Sequence, residues 1–281
     1  MVIWWLEELS GAIAMAPAKD RGLLILKLGG SVITDKSRDF APRKNVIKRL
    51  AREIADSRYP LVIVHGGGSF GHPLAAKYQL SGGLKNKKQL LGIALTHQAM
   101  VELNSMVVEA LAAAKVPAIS LQPSACFVVS GGRILSAELT AIKKMIEIGL
   151  TPVLYGDVVP DLTMGVSILS GDEISTYLAK ELAAQRIIFG ADVDGVYTED
   201  PKGGGAPLLL KEISQEDWSR ISFSTDKRVK DVTGGMRRKV EELLKLAKYG
   251  IEAEIANAGK PGVIGRLLKG EKGIGTVIRG G

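Results

Sequence analysis

Lys27 is the only charge in the apolar run Leu23–Leu28, and Gly29-Gly30-Ser31 follows it directly. A lysine at the end of a buried strand needs a nearby anion, because an unpaired buried charge is costly. A bound phosphate answers it more economically than a carboxylate of the chain or snorkelling at the strand end, because the Gly29-Gly30 backbone can offer N–H groups to the same phosphate. Lys36 follows nine residues on, in Ile33-Thr34-Asp35-Lys36, within reach of the same place by a loop. A second apolar run, Leu61–Val64, ends in His65-Gly66-Gly67-Gly68-Ser69-Phe70-Gly71-His72. Three glycines after a strand let the chain lie against a phosphate without side-chain obstruction. The pattern is neither G-x-x-x-x-G-K-[ST] nor a protein-kinase glycine loop, so those mechanisms do not transfer. His72 is placed to donate to a phosphate. His65, at the strand end, reads as a support for the loop, and nothing recommends His97 as a ligand. Asp172, just after Gly171 at a helix start, either caps that helix or orients Lys27 and Lys36 by charge.

Strand and helix patterns alternate along the chain and must position these groups. The runs Leu23–Leu28, Leu61–Val64, Ala118–Leu121, Pro152–Tyr155, Arg186–Phe189 and Ile251–Ile255 read as buried parallel strands. Helical stripes lie between them: Val46, Ile47, Leu50 and Ile54, then Met100, Leu103, Val107 and Leu111. Ile174, Tyr177, Leu178 and Leu182 form a third stripe, and Met236, Val240, Leu243, Leu244 and Ala247 a fourth. The predicted fold is α/β, a three-layer αβα sandwich around a mainly parallel sheet. Ser124–Leu135 and Asp157–Leu169 read as hairpins added near the sheet's edge. Residues 1–22 make a poor secretory signal and read as a dispensable extension ahead of a single domain, 23–281.

Composition narrows the function. With 37 Lys+Arg against 30 Asp+Glu the net charge is +7, but basic residues interleave with acids along helices. That pattern argues for solvated helix faces rather than nucleic-acid binding, with an anionic small substrate attracted by the excess. No apolar run approaches the roughly 20 residues of a membrane span. A single cysteine, Cys126, excludes an intramolecular disulfide framework, suits a reducing cytoplasm and reads as a small core residue. Few Asn and Gln, four and six, point weakly to a thermophile. Glycine is in excess, 33 of 281 residues against a usual ~7%, and fifteen of them fall in or beside strand-end loops. We read that placement as close backbone approach to anions.

From about residue 23 to 279 the sequence resembles the amino-acid kinase superfamily, most closely its isopentenyl phosphate kinase branch. The resemblance rests on Lys27–Lys36, His65–His72, Tyr155-Gly156-Asp157-Val158 and Ser170-Gly171-Asp172. Asp192–Tyr197 with Asp200-Pro201, Asp231–Met236 and Gly275–Ile278 extend it, and the final His72 is its branch-specific element. It implies transfer of phosphate from ATP, with Mg2+, to isopentenyl phosphate, giving the diphosphate for isoprenoid biosynthesis. It also implies a cytoplasmic homodimer formed through the Ala94–Ala114 helix. An acceptor-binding lobe would span about 23–183 and an ATP-binding lobe about 184–281.

The chemistry agrees with that branch. A phosphate monoester is already largely anionic at neutral pH and needs positioning and charge neutralisation more than a base. His72 and the Gly67 amide are expected to hold the acceptor phosphate, with backbone around Ser167 and Ile168 closing the other side by resemblance. Lys27 and Lys36 would neutralise the transferring group, while Gly29, Gly30, Ser31 and Gly68 hold ATP phosphates. Asp192 and Asp194 are expected near the nucleotide, and the resemblance adds Gly235 and Lys239 at a helix N-terminus. Mg2+ would bridge ATP oxygens with few or no protein ligands. The rival readings are a phosphonate kinase resembling fosfomycin kinase, and a non-catalytic nucleotide- or oxyanion-binding protein on the same fold.

Overall fold

The computed structural model describes residues 21–198, 206–220 and 232–279. The N-terminal extension up to residue 20, the Asp200-Pro201 turn, Gly203–Gly205 and Asp231 lie outside them. In chain order the first half holds β1 (Leu24–Leu28), α1 (Gly30–Ile33), α2 (Lys44–Ala55), β2 (Leu61–His65), α3 (Gly68–Lys77), α4 (Lys88–Ala113), β3 (Ala118–Ser120) and α5 (Pro123–Cys126). Next come β4 (Phe127–Ser130), β5 (Arg133–Ala137), α6 (Thr140–Glu147), β6 (Thr151–Tyr155), β7 (Asp157–Asp161), β8 (Gly165–Leu169) and α7 (Gly171–Glu181). The remainder holds β9 (Arg186–Ala191), β10 (Val196–Tyr197), β11 (Leu209–Leu210), β12 (Glu212–Ile213), α8 (Gln215–Arg220), α9 (Val232–Ala247), β13 (Glu252–Asn257), α10 (Val263–Leu268) and β14 (Thr276–Ile278).

Eight strands form one sheet in the order β12-β14-β13-β9-β1-β2-β6-β3. All pairings are parallel except β13 with β14. Each of the six predicted strands is present. The central ones, β1, β2, β6 and β9, are buried throughout, as a parallel sheet covered on both faces requires. The two hairpins do not extend this sheet. They join each other as a second, four-stranded sheet, β5-β4-β7-β8.

The period of two along β1 divides the core. Leu24, Leu26 and Leu28 pack with Ile47, Leu50 and Ile54 of α2, with Leu103 and Val107 of α4, and with α10. Ile25 faces the other way, among Ile174 and Leu178 of α7 and Val240, Leu243 and Leu244 of α9. Lys27 shares the face of Ile25, so it points towards α7 and α9. The line between the two expected lobes falls between α7 and β9, and the sheet is continuous across it through the β1–β9 pairing.

Candidate active site

Four adjacent parallel strands, β9, β1, β2 and β6, end side by side, and the residue after each lines one cavity of about 280 Å3: Asp192, Gly29, Gly66 and Gly156. Ligands in open α/β folds bind beyond such strand ends. Lys27, Gly30, Ser31, Lys36, Gly67, Gly68 and His72 line the same cavity, as do Ile168, Asp172, Gly235 and Lys239.

Lys27 is answered by a carboxylate. Its ammonium lies 2.6 Å from Asp172 Oδ1 and 5.5 Å from the centre of the Phe189 ring. Asp172 Oδ2 also meets Lys239 Nζ at 3.4 Å. Burial pushes the Lys27 ammonium below its ordinary pKa, and Asp172 pulls it back up. Burial works to raise the Asp172 carboxyl, but Lys27 and Lys239 together hold it below the usual range. Asp172 is not the helix cap. Ser170 caps α7, its hydroxyl accepting the Glu173 N–H at 3.2 Å in a reciprocal capping box. Nor is Lys36 a partner of Asp172. The second cation is Lys239, from α9, because α7 and α9 pack together on the face of the sheet that Lys27 shares. Asp172 thus stands between two ammonium groups, and with Lys36, Asp157 and Asp192 on the same cavity three lysines face three carboxylates there.

The glycines of the two loops serve each other first. A Cβ on Gly30 would lie 2.3 Å from Gly68 N, and Gly68 holds a left-handed φ of 49°. The close approach read from composition is thus backbone against backbone at Gly30, Gly66 and Gly68, and it brings both loops to one cavity.

His72 is exposed in the second turn of α3 and lines the cavity together with Gly67, Gly71 and Ile168. Met100 of α4 backs the loop, its sulfur 3.0 Å from where a Gly67 Cβ would be. The Ser167 side chain is turned away from the cavity, strand alternation sending its hydroxyl to Asp161 Oδ2 at 2.5 Å, while the Ile168 side chain faces inward; the role expected at this place is the backbone's. His65 is fully buried, spans Gly66 O and Asn104 Oδ1 at 3.2 Å each, and stacks on Tyr155. Burial pulls its pKa down to about 4, so it is neutral at physiological pH.

The pairing of His97 with Asp157 is not legible in the sequence, where His97 has no assigned role and Asp157 stands only within the Tyr155–Val158 match. His97 Nδ1 lies 2.9 and 3.0 Å from the two carboxylate oxygens of Asp157, whose backbone position follows Gly156 on the cavity wall. Burial pushes the Asp157 carboxyl up, opposed by His97 and by the Val158 N–H. The partners are 60 residues apart, and no periodicity links them.

Of the residues expected near the nucleotide, Asp192 and Gly235 line the cavity, while Asp194 is paired elsewhere. Lys260 Nζ lies 2.7 Å from Asp194 Oδ1, and Asn257 Nδ2 donates to the same oxygen at 2.9 Å. Asp194 therefore ties the loop after β9 to the loop after β13.

Residues 22–257 match the amino acid kinase family. The chain is 44% identical over 267 residues to the isopentenyl phosphate kinase of Methanothermobacter thermautotrophicus, an alignment spanning 92% of this chain and 99% of that one. It is 35% identical to the Methanocaldococcus jannaschii isopentenyl phosphate kinase, across 89% and 96% of the two chains. Among solved structures, the Thermoplasma acidophilum isopentenyl phosphate kinase product complex superposes with a TM-score of 0.76 at 34% identity, covering 92% of this chain and all of the other. Glutamate 5-kinase from Xylella fastidiosa stands further off, at 23% identity. The cavity at the strand ends, its three lysines and the histidine-ended glycine loop thus belong to a chain of the isopentenyl phosphate kinase branch of the amino acid kinase family.

Proposed function

We propose that the protein transfers the γ-phosphoryl group of ATP to isopentenyl phosphate, giving isopentenyl diphosphate and ADP. The observation that carries this reading is that His72 and Gly67 line one cavity with Lys27, Lys36 and Lys239. Two of the carboxylates on the cavity are committed, the half-buried Asp172 to two lysines and the buried Asp157 to His97, as suits an acceptor that arrives already ionised. An acceptor phosphate oxygen forms the new bond to the γ-phosphorus as the bond to the β-phosphate bridging oxygen breaks, and ADP takes that electron pair. In the loose transition state the charge resides on the transferring oxygens. Lys27 and Lys36 neutralise it there. Asp172 holds Lys27 and Lys239 at a fixed spacing, so no reorganisation is required during the step. His72 and the Gly67 N–H hold the acceptor phosphate in line, and Gly29, Gly30, Ser31 and Gly68 hold ATP phosphates.

Mg2+ would come with the nucleotide and would supply charge neutralisation at its phosphates. Among the described residues no cluster of three or more metal-ligating side chains is formed, and Asp192 is the cavity carboxylate nearest in sequence to the expected nucleotide loop. Exposed Leu90, Leu91 and Leu95 on α4 favour a homodimer along that helix. No described helix is long and apolar enough to cross a membrane.

The deciding experiment is ATP turnover with isopentenyl phosphate, fosfomycin, UMP and glutamate in parallel. Turnover specific to isopentenyl phosphate is the expected result. Preference for fosfomycin overturns the acceptor, and ATP binding without turnover on any acceptor overturns the kinase.

A further inference from the structure

Lys36 and His72 stand on different elements, yet two small buried side chains bind those elements together. Thr34 is fully buried; its hydroxyl donates to Gly30 O at 2.7 Å and accepts the Ser69 N–H at 3.0 Å. That oxygen fills the space a side chain on Gly68 would need, 2.0 Å from a Cβ there. Ser69, also buried, holds the far end of the Lys36 loop: its hydroxyl accepts the Ala41 N–H at 3.2 Å and its carbonyl the Phe40 N–H at 3.0 Å. The Asp35 N–H closes the loop on Ala41 O at 2.8 Å. Phe40 meets Phe70 edge to face at 5.7 Å and holds a φ of 50°, which a non-glycine residue keeps only where its surroundings over-determine it. Ser69 and Phe70 lie three and two residues before His72 in α3.

We propose that Thr34 and Ser69 are positioning residues for phosphoryl transfer, locking the Lys36 loop to the helix that carries His72. The proposal rests on the roles given above to Lys36 and His72. The cation on the transferring group and the donor on the acceptor are then set by one hydrogen-bonded body. Such coupling matters because in-line transfer tolerates little error, a 1 Å misplacement costing about 100-fold in rate. A hydroxyl is required at 34, since the buried Ser69 N–H needs an acceptor that a methyl group cannot supply.

Thr34→Val keeps the shape and removes the hydroxyl; Thr34→Ser keeps the hydroxyl. Three quantities decide: kcat and KM for isopentenyl phosphate, the Kd of ATP without acceptor, and amide hydrogen exchange over residues 35–41. The expected result is a kcat at least about tenfold lower in T34V, with ATP Kd and acceptor KM within about twofold and faster exchange over 35–41. T34S returns both to near the wild-type values. Unchanged kcat, a kcat loss matched by an equal loss of ATP affinity, or unchanged exchange in T34V overturns the proposal. Should T34V fail to fold, Ser69→Ala, which removes only the acceptor of the Ala41 N–H, decides it by the same readouts. Failure of the acceptor assignment is seen separately, as wild-type protein that does not turn over isopentenyl phosphate. In that case the exchange comparison still decides the link.

Discussion

Lys27 Nζ and Asp172 Oδ1 stand 2.6 Å apart, one at the end of β1 and the other in the first turn of α7. The alternation of β1 turns Lys27 towards α7, and the Ser170 cap fixes where α7 begins. The contact is therefore built from two local rules meeting across the sheet. Asp172→Asn keeps the volume and leaves two ammonium groups without their shared counter-charge. Asp172 is a quarter exposed, so the stability loss is about 2 kcal/mol, below the 3–5 of a fully buried pair. The larger effect falls on kcat, about 100-fold lower, because Lys27 and Lys239 no longer hold their spacing. Thermal unfolding and steady-state kinetics on one preparation check both. A kcat within about twofold of wild type would remove Asp172 from the mechanism.

His72 lines the same cavity as the three lysines but is assigned to the acceptor phosphate, so its loss is expected to act on acceptor and nucleotide differently. His72→Ala is expected to raise the KM for isopentenyl phosphate and cut kcat by about 100-fold, while the Kd of ATP stays within about twofold. Calorimetric ATP titration beside a turnover assay reads the split. Near-wild-type turnover would exclude the assigned role.

Gly30 and Gly68 pack main chain on main chain, and the absence of side chains is what permits it. Gly30→Ala places a methyl 2.3 Å from Gly68 N and 2.7 Å from Gly68 Cα, where only backbone can yield. A stability loss of about 1–3 kcal/mol and loss of turnover are expected. Gly235→Ala is the contrast, since among the described residues its Cβ meets nothing nearer than Lys239 Nζ at 3.7 Å. Its melting temperature is expected to stay within about 2 °C of wild type. Equal melting temperatures for both variants would show that the loops do not depend on that contact.

What was legible in the chain follows the range of the physics. The strands and stripes are periodic over a few residues, so Leu61–Val64 and Met100–Leu111 appear as read. The strand-end glycines and Lys27 also declare themselves locally, because a buried charge and consecutive glycines are each unusual in place. Partner choice is not local. Asp172 finds Lys239 rather than Lys36 because α7 and α9 pack on the same face of the sheet, a consequence of crossover connections. His97 looks like any polar residue in a long helix until β7 delivers Asp157 to it. Ser167 and Ile168 are neighbours in sequence, and only the face each takes in β8 separates an Asp161 donor from a cavity wall.

His65 makes the fold acid-sensitive within a defined window. Folded, it titrates at about 4 rather than 6.5, because burial disfavours the imidazolium. Between those values the unfolded chain binds a proton that the folded protein refuses. Stability present above pH 6.5 is therefore lost as pH falls towards 4, by about 3 kcal/mol in total. Asp172 acts lower down: its carboxyl is held below the ordinary 3.8, so its contribution is present above that value and lost only below it. The two effects separate on the pH axis. Urea unfolding of wild type and His65→Gln at pH 7, 6, 5 and 4 measures the first. The wild type should lose stability more steeply than the variant between pH 6.5 and 4, and the difference should level off near pH 4. Parallel curves would show that His65 is protonated in the folded protein, with the Gly66 carbonyl and Asn104 stabilising the imidazolium against the cost of burial.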